Sequence, residues 1–399
     1  MRIANFKLFL GIGLITCLVN NGCVEPFQAE FENFESALVV EATLTNELKQ
    51  QEVFLSRTFE FEEEEPLMES NAQVRVVAGG NTFVFDEASA GTYVSAQAFA
   101  AQPNTAYQLL VTTQDGRSYS SDEVTLSPTT QIDGVRAERI INDDGEDGIA
   151  ILVDSFDPSG SAKNYRYVYE ESYRIIAPDW APMDLIGDPA GGCGVLKIPK
   201  QRDEQVCYTT DLSNEIILTN TTDLEEDRVS NFMVRFLNRN NYIISHRYSI
   251  LVKQLVHSNI AYTFYERLDE FSSSESLLSE TQPGFLQGNM FSNENRNEKV
   301  LGFFDVASIT EQRIFFNYED FYPEEPLPPY ADPCGQSAPV LINQGGLCVL
   351  RPIIEANVAR FKDDNSIPQV GEGPFFIVPR VCGDCTVLGD TEIPEFWEE

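Results

Sequence analysis

Histidine is almost missing from this sequence: His246 and His257 are the only two among 399 residues. Imidazole is the usual general base near neutral pH, so chemistry that depends on it has two places to sit. No Gly-x-Ser-x-Gly elbow presents a serine to either one, which leaves a Ser-His-Asp hydrolase without its nucleophile turn. His-Glu-x-x-His, the phosphate-binding loop and a strand-linked Gly-x-Gly-x-x-Gly are absent too. Zinc proteases, phosphate-loop nucleotidases and dinucleotide enzymes therefore lack their signatures. Basic residues are scarce, 27 Lys and Arg against 63 Asp and Glu, for a formal net charge of −36. That imbalance argues against nucleic acid and anionic lipid surfaces as partners, since both need a basic face. There is no internal repeat, coiled coil or low-complexity tract.

Long apolar runs are lacking as well. The run from Leu8 to Val19 is too short to cross a bilayer as a helix. Arg2 and Lys7 precede it, and it gives way to Asn20-Asn21-Gly22-Cys23. A basic start, a short apolar core and a small residue directly before a cysteine read as an export signal over 1–22. A bacterial lipoprotein signal looks like this, with Cys23 as the lipid-bearing start of the mature chain. Ordinary secretion with cleavage elsewhere is the alternative, and Cys17 after Thr16 is a poorer acceptor. Residues 23–35 are acidic and unpatterned, and read as a tether.

Six cysteines remain: Cys193, Cys207, Cys334, Cys348, Cys382 and Cys385. An even number in an exported chain reads as disulfides. Cys193–Cys207 and Cys334–Cys348 would each close a loop of about 15 residues, worth on the order of 3 kcal/mol. Among the last four cysteines three connectivities stay open. Cys382-Gly383-Asp384-Cys385 has no βαβ context of the kind a redox centre uses, and the spacings do not match common zinc modules.

A chain of this length exceeds what one core supports, so two domains are the default. Short alternating runs at 37–44, 53–59, 72–78, 82–85, 91–95, 106–113 and 117–121 predict strands, with an acidic loop at 62–65. Gly79-Gly80 marks a hairpin and Asp115-Gly116 a turn. These predict an N-terminal immunoglobulin-like β-sandwich over 36–127. A linker at 127–130 leads to a second β-rich, sandwich-like domain over 128–399 with one inserted helix near 258–271. In that helix the apolar residues fall at 260, 261, 264, 265 and 268, one face of a 3.6-residue period. Strands are expected before it at 246–255 and after it at 288–292, 300–306 and 313–316. The stretch 177–211 reads as a long loop, and the Pro- and Gly-rich tail from 322 as a surface wrap fixed by its cysteines. The fold class is mainly β.

Two constellations invite sharper readings. Asn142, Asp144, Glu146 and Asp147 crowd oxygen ligands around Gly145 and Gly148, somewhat like a calcium loop, although the final bidentate Glu is not at its usual distance. A hairpin turn explains the same residues. Structural calcium is the one cofactor worth entertaining. Tyr165, Tyr167, Trp180, Phe321 and Tyr322 are candidate contacts for a ligand or partner, against cross-strand packing as the plainer role. Carboxylate pairs for glycoside chemistry carry no weight by number alone, since 63 acidic residues always supply some.

Several segments together resemble a known family. They are the Cys23 start, Leu38-Val39-Val40-Glu41-Ala42, Asp115-Gly116-Arg117-Ser118-Tyr119, and Asp157-Pro158 with Asn164-Tyr165-Arg166-Tyr167. The stretch from Tyr248 to Leu268, Gly288-Asn289 with Val300-Leu301-Gly302-Phe303-Phe304, and the ending Cys382-Gly383-Asp384-Cys385-Thr386 with Pro394-Glu395-Phe396-Trp397 continue the likeness. The chain resembles a Bacteroidota outer-membrane lipoprotein family of unknown function, DUF4249-like, across nearly all of its mature length. The resemblance implies a lipid anchor in the outer membrane, on its surface or periplasmic face, often encoded beside a TonB-dependent transporter. It brings no catalytic residues. The expected function is a non-enzymatic accessory or binding subunit of such a transporter or of another outer-membrane complex. An independent surface protein binding a sugar, peptide or metal complex is the alternative, and a carboxylate-dependent hydrolase comes third.

Overall fold

The computed structural model of the chain describes residues 36–59, 67–273 and 286–399. The export signal, Cys23, the tether and the acidic loop at 62–65 lie outside the described residues.

Alternation sets the first strand, β1 (Leu38–Thr45), which buries Leu38, Val40, Ala42 and Leu44 on one face. It is followed by β2 (Glu52–Arg57), β3 (Leu67–Met68), β4 (Gln73–Ala78) and β5 (Asn81–Ser89). Gly79 and Gly80 join β4 to β5 with φ of 55° and 85°, a two-residue turn that glycine adopts without strain. Then come β6 (Thr92–Ser95), β7 (Ala106–Thr112), β8 (Ser118–Ser121) and β9 (Val124–Thr125).

The second half opens with β10 (Ile132–Ile141), β11 (Asp147–Phe156) and β12 (Asn164–Ile176). The expected loop at 177–211 instead contains a hairpin of β13 (Met183–Gly187) and β14 (Val195–Pro199), and it leads into β15 (Val206–Leu212). Next are β16 (Ile217–Asn220), β17 (Arg228–Asn238), β18 (Arg247–His257) and the helix α1 (Asn259–Ser273). After it come β19 (Met290–Ser292) and β20 (Val300–Asn317). The tail is more ordered than a surface wrap: α2 (Leu350–Glu355), β21 (Ala359–Asp364) and β22 (Phe375–Pro379) build a small third core with β13, and α3 (Arg380–Gly383) follows β22.

One strand joins the two halves. The runs at 300–306 and 313–316 are a single 18-residue strand, β20. Residues 300–307 pair in parallel with β1, and 308–317 pair antiparallel with β18. Thr310, Glu311 and Gln312 broke the apolar pattern because they lie where the strand passes from one core to the next. Gly302 is required here: its φ is +88°, and a Cβ would meet the carbonyl oxygen of Val40 at 1.9 Å. The largest sheet runs β15-β12-β18-β20-β1-β2-β6-β5-β4-β7-β8-β19, and β10-β11-β17 form a second sheet facing its far half.

The mainly β class is what the structure has, and the layering is that of a sandwich. The order of strands does not single out an immunoglobulin pattern, because β19 and β20 enter the first layer from far along the chain. Met290, Val300, Phe304 and Val306 complete the core that β1, β2, β4 and β7 begin. The chain thus changes sheets near 127, but the first core does not end there. The segment read as a linker is pinned. The carbonyl of Pro128 accepts from the Ser308 hydroxyl, and that of Thr130 from the Thr310 hydroxyl and the Gln254 amide.

The cysteines pair as Cys193–Cys348, Cys207–Cys385 and Cys334–Cys382, which corrects both loops drawn from spacing. Spacing measures only the length of chain between two residues, whereas the sheet decides which are neighbours. β15 carries Cys207 into the second core, where Cys385 also lies. Cys193 sits in the β13–β14 turn and reaches Cys348 just before α2. With separations of 155, 178 and 48 residues the bridges constrain the unfolded chain by on the order of 4–5 kcal/mol each.

Between β11 and β12 the chain crosses from one sheet to the other through Asp157. Its carboxylate accepts from the backbone N–H groups of Ser159, Ser161 and Ala162 and from the Ser159 hydroxyl. Burial works against the charge, but these donors outweigh it and hold the carboxyl down at about 2. Its folded pKa lies below the ordinary 3.8, so this stabilisation is complete above about pH 4 and is lost as pH falls toward 2. The urea midpoint of wild-type protein should therefore fall faster than that of Asp157→Asn over that interval. Parallel curves for the two proteins would contradict the assignment.

Candidate functional site

The sheet uses its inner faces for the two cores. What remains is the outer face where β1, β2, β18 and β20 meet, and α1 lies across it. Ser258 starts the helix, its Oγ accepting from the Ala261 N–H and its carbonyl from the Tyr262 N–H. Ala261 and Phe264 pack down on Phe303 of β20, with the two phenyl rings 5.0 Å apart. Ile260, counted in the apolar face by periodicity, instead points to solvent.

Beneath the helix start lies a buried polar cluster. His257 ends β18 and its Nδ1 sits 2.5 Å from the Asp305 carboxylate of β20, both side chains fully buried. The Tyr265 ring lies tilted beside His257, 5.1 Å between centroids, and its hydroxyl is 3.4 Å from Thr43 Oγ1. Arg166 of β12 lays its guanidinium over the same ring, 4.3 Å from the centroid. Burial pushes the Tyr265 phenol up and Asp305 adds to this, with Arg166 opposing. Three atoms of the cluster have no hydrogen-bond partner: Arg166 Nε, His257 Nε2 and Asp305 Oδ1.

Beside this cluster a groove of about 560 Å³ opens between α1 and the sheet. One end is polar, formed by Thr43, Lys49, Glu52, Arg166 and Tyr265. The other is mainly apolar: Val39, Leu301 and Phe54 come from the sheet, with Glu41 standing beside Phe54, and Leu268 and Phe271 come from the helix. Register explains this division. Phe54 lies opposite Glu41, and β1 pairs Val39 with Leu301 and Thr43 with Asp305, so these side chains stand on the same face in rows. The size and the mix of aromatic walls with few polar groups suit a small-molecule pocket.

The residues singled out by sequence lie elsewhere. Tyr165 and Tyr167 are fully buried on the inner face of β12, their hydroxyls donating to Asp227 at 2.8 Å and Gln254 at 3.0 Å. They are core residues, which corrects the ligand reading. Tyr322 is buried under the Arg139 guanidinium, 4.2 Å from its ring, and Phe321 packs edge-on against Phe316. Trp180 is half-buried against the second core, 5.7 Å from the Lys200 ammonium. None of the five lines the groove.

The four oxygen-rich residues form the β10–β11 hairpin turn rather than a cation loop. Asn142 Oδ1 accepts from the N–H groups of Asp144 and Glu146, and its amide donates to Glu146. Asp147 is taken by Arg139 at 2.7 Å and Arg239 at 3.6 Å, and the Arg139 guanidinium holds its carboxyl below the usual range. Among the described residues the one cluster with metal-ligand spacing is Asp332, Cys334 and Cys382, and two of its three members form a disulfide.

Sequence reasoning missed the groove and the His257–Asp305 pair. The two partners are 48 residues apart and no motif links them. The available signal was an acidic residue, Asp305, near the end of the otherwise apolar run Val300-Leu301-Gly302-Phe303-Phe304-Asp305-Val306. A buried carboxylate demands a partner.

A family model described as a domain of unknown function (DUF4249) matches residues 24–313. No curated protein matches the chain. Among solved structures, a crystal structure of Parabacteroides merdae β-glucuronidase with glycerol in its active site is similar at 10% identity and a TM-score of 0.16. The match covers 56% of this chain and 23% of that one. The chain therefore spans less than a quarter of that enzyme's length, and a likeness so slight carries no argument.

The buried pair is tested by a double-mutant cycle with His257→Gln and Asp305→Asn. Removing either partner leaves a buried polar group unsatisfied and should cost about 3 kcal/mol of unfolding free energy. The coupling between the two, read from urea unfolding, should reach about 1–3 kcal/mol. Coupling near zero would show that the contact does not hold β18 to β20.

Proposed function

The chain belongs to the DUF4249 family, and from that premise we propose that it is a non-enzymatic, lipid-anchored binding protein of the outer membrane. Cys23 carries the lipid, and the protein serves as an accessory subunit of a TonB-dependent transporter or another outer-membrane complex. The export signal ending at Gly22-Cys23 supports the anchor. The observation that carries the binding role is the groove under α1, polar at one end and apolar at the other. Two features support a role without catalysis. The His257 imidazole is fully buried and out of a substrate's reach. The carboxylates lining the groove, Glu41 and Glu52, rise from neighbouring strands of the same wall rather than facing each other across the space, as a glycosidase requires.

The groove equally favours a second reading, in which the protein binds its ligand without a transporter. Strand β1, which follows the tether in the chain, forms part of one wall of the groove.

Affinity purification of tagged full-length protein from detergent-solubilised outer membranes separates these readings. The accessory reading predicts an acylated Cys23 in the N-terminal peptide and a stoichiometric outer-membrane β-barrel partner. Cys23→Ala should release the protein from the membrane fraction. An acylated protein recovered alone would favour independent ligand binding, and turnover of glycan or peptide substrates would contradict both.

A further inference from the structure

We propose that the groove under α1 takes a long-chain fatty carboxylate, with its head at Arg166 and its tail along the aromatic walls. This rests on the reading of the groove as a binding site and names what occupies it. The argument starts from Arg166. Its Nε is buried without a hydrogen-bond partner, and among the described residues no ion pair joins it to a carboxylate. The guanidinium is engaged by the Tyr265 side chain, but among the described residues no carboxylate lies within ion-pair distance, and its fork of donors matches one. The other cation of the polar end, Lys49, is already matched by Glu47 at 2.8 Å. Glu41 and Glu52 are exposed and hydrated, so they need no partner.

Away from Arg166 the groove changes character within a few residues. Phe54 of β2 and Leu268 of α1, 45% and 36% exposed, line the groove from the sheet and from the helix, with the half-buried Val39 and Leu301 on the sheet side. Large apolar side chains left exposed on two opposed walls fit a flexible hydrocarbon better than a sugar, which would call for polar groups along its whole length. The cation at one end and the mainly apolar stretch at the other, in which Glu41 beside Phe54 stands exposed to water, set the orientation. The formal charge of −36 disfavours a sheet of anionic headgroups, but one carboxylate in a groove meets the local cation.

The test uses the delipidated full-length protein and three probes: palmitate, hexadecanol of the same tail length, and the neutral dye Nile red. Binding is read by titration calorimetry and dye fluorescence. Wild-type protein should bind palmitate at a single site. Arg166→Gln should weaken palmitate by on the order of tenfold to a hundredfold, the worth of a charge-assisted hydrogen bond, and leave hexadecanol unchanged. Leu268→Glu and Phe54→Glu place a charge on exposed positions of the two walls and should abolish binding of all three probes without lowering the melting temperature. Nile red bound in a Leu268-sensitive way with no palmitate binding would overturn the fatty-carboxylate inference and leave the groove reading standing. Failure of all three probes to bind, or binding indifferent to both wall variants, would overturn both.

Discussion

The long strand β20 is the constraint on which the rest of this molecule depends. Its first eight residues pair with β1 over the first core, and the remainder pairs with β18 over the second, so that one sheet spans both. A strand exposes two faces, and β20 uses both along its length. Phe304 and Val306 enter the first core and Phe316 the second, while Phe303 and Asp305 turn outward beneath α1. The linker hydrogen bonds, the His257–Asp305 contact and the floor of the groove all follow from where this strand lies. Val40 approaches it so closely that position 302 accepts only glycine.

That arrangement also explains why a site exists on the outer face. Both inner faces are occupied by packed cores, so the chain can shape a groove only by laying an element across the other side. The helix does so over the β1–β2–β20 end. The C-terminal residues do it over the opposite end, where Trp397 packs between Tyr208 and Phe315 and Phe396 lies under Arg313. Trp397 closes its end by filling it with rings. The helix end keeps a groove because α1 touches the sheet mainly through Ala261, Phe264 and Tyr265, leaving Leu268 exposed at its edge.

Local patterns were legible in the sequence, and long-range partners were not. Alternation located β1, β4 and β7, Gly79-Gly80 and Asp115-Gly116 fixed their turns, and the 3.6-residue spacing located α1, because each signal is set by neighbours in the chain. Strand β20 was divided in two because its polar middle looked like a break, although it marks a change of core. The disulfides were misdrawn because loop length says nothing about which strands adjoin. Tyr165 and Tyr167 stayed open to a ligand contact, beside the plainer role of packing, because alternation does not tell which face is inward. Within the groove, Arg166 and Tyr265 stood in quoted segments, but their meeting over a span of about a hundred residues required the fold.

If β20 is common to both halves, the first layer cannot close without it. The most direct measurement is the two-dimensional amide NMR spectrum of an isolated fragment covering residues 36–127. The account predicts narrow, unfolded-type dispersion, because Met290, Val300, Phe304 and Val306 are missing from its core. A well-dispersed spectrum, with cooperative unfolding near the temperature of the full chain, would show that the first sandwich stands alone and that β20 is an accessory to it.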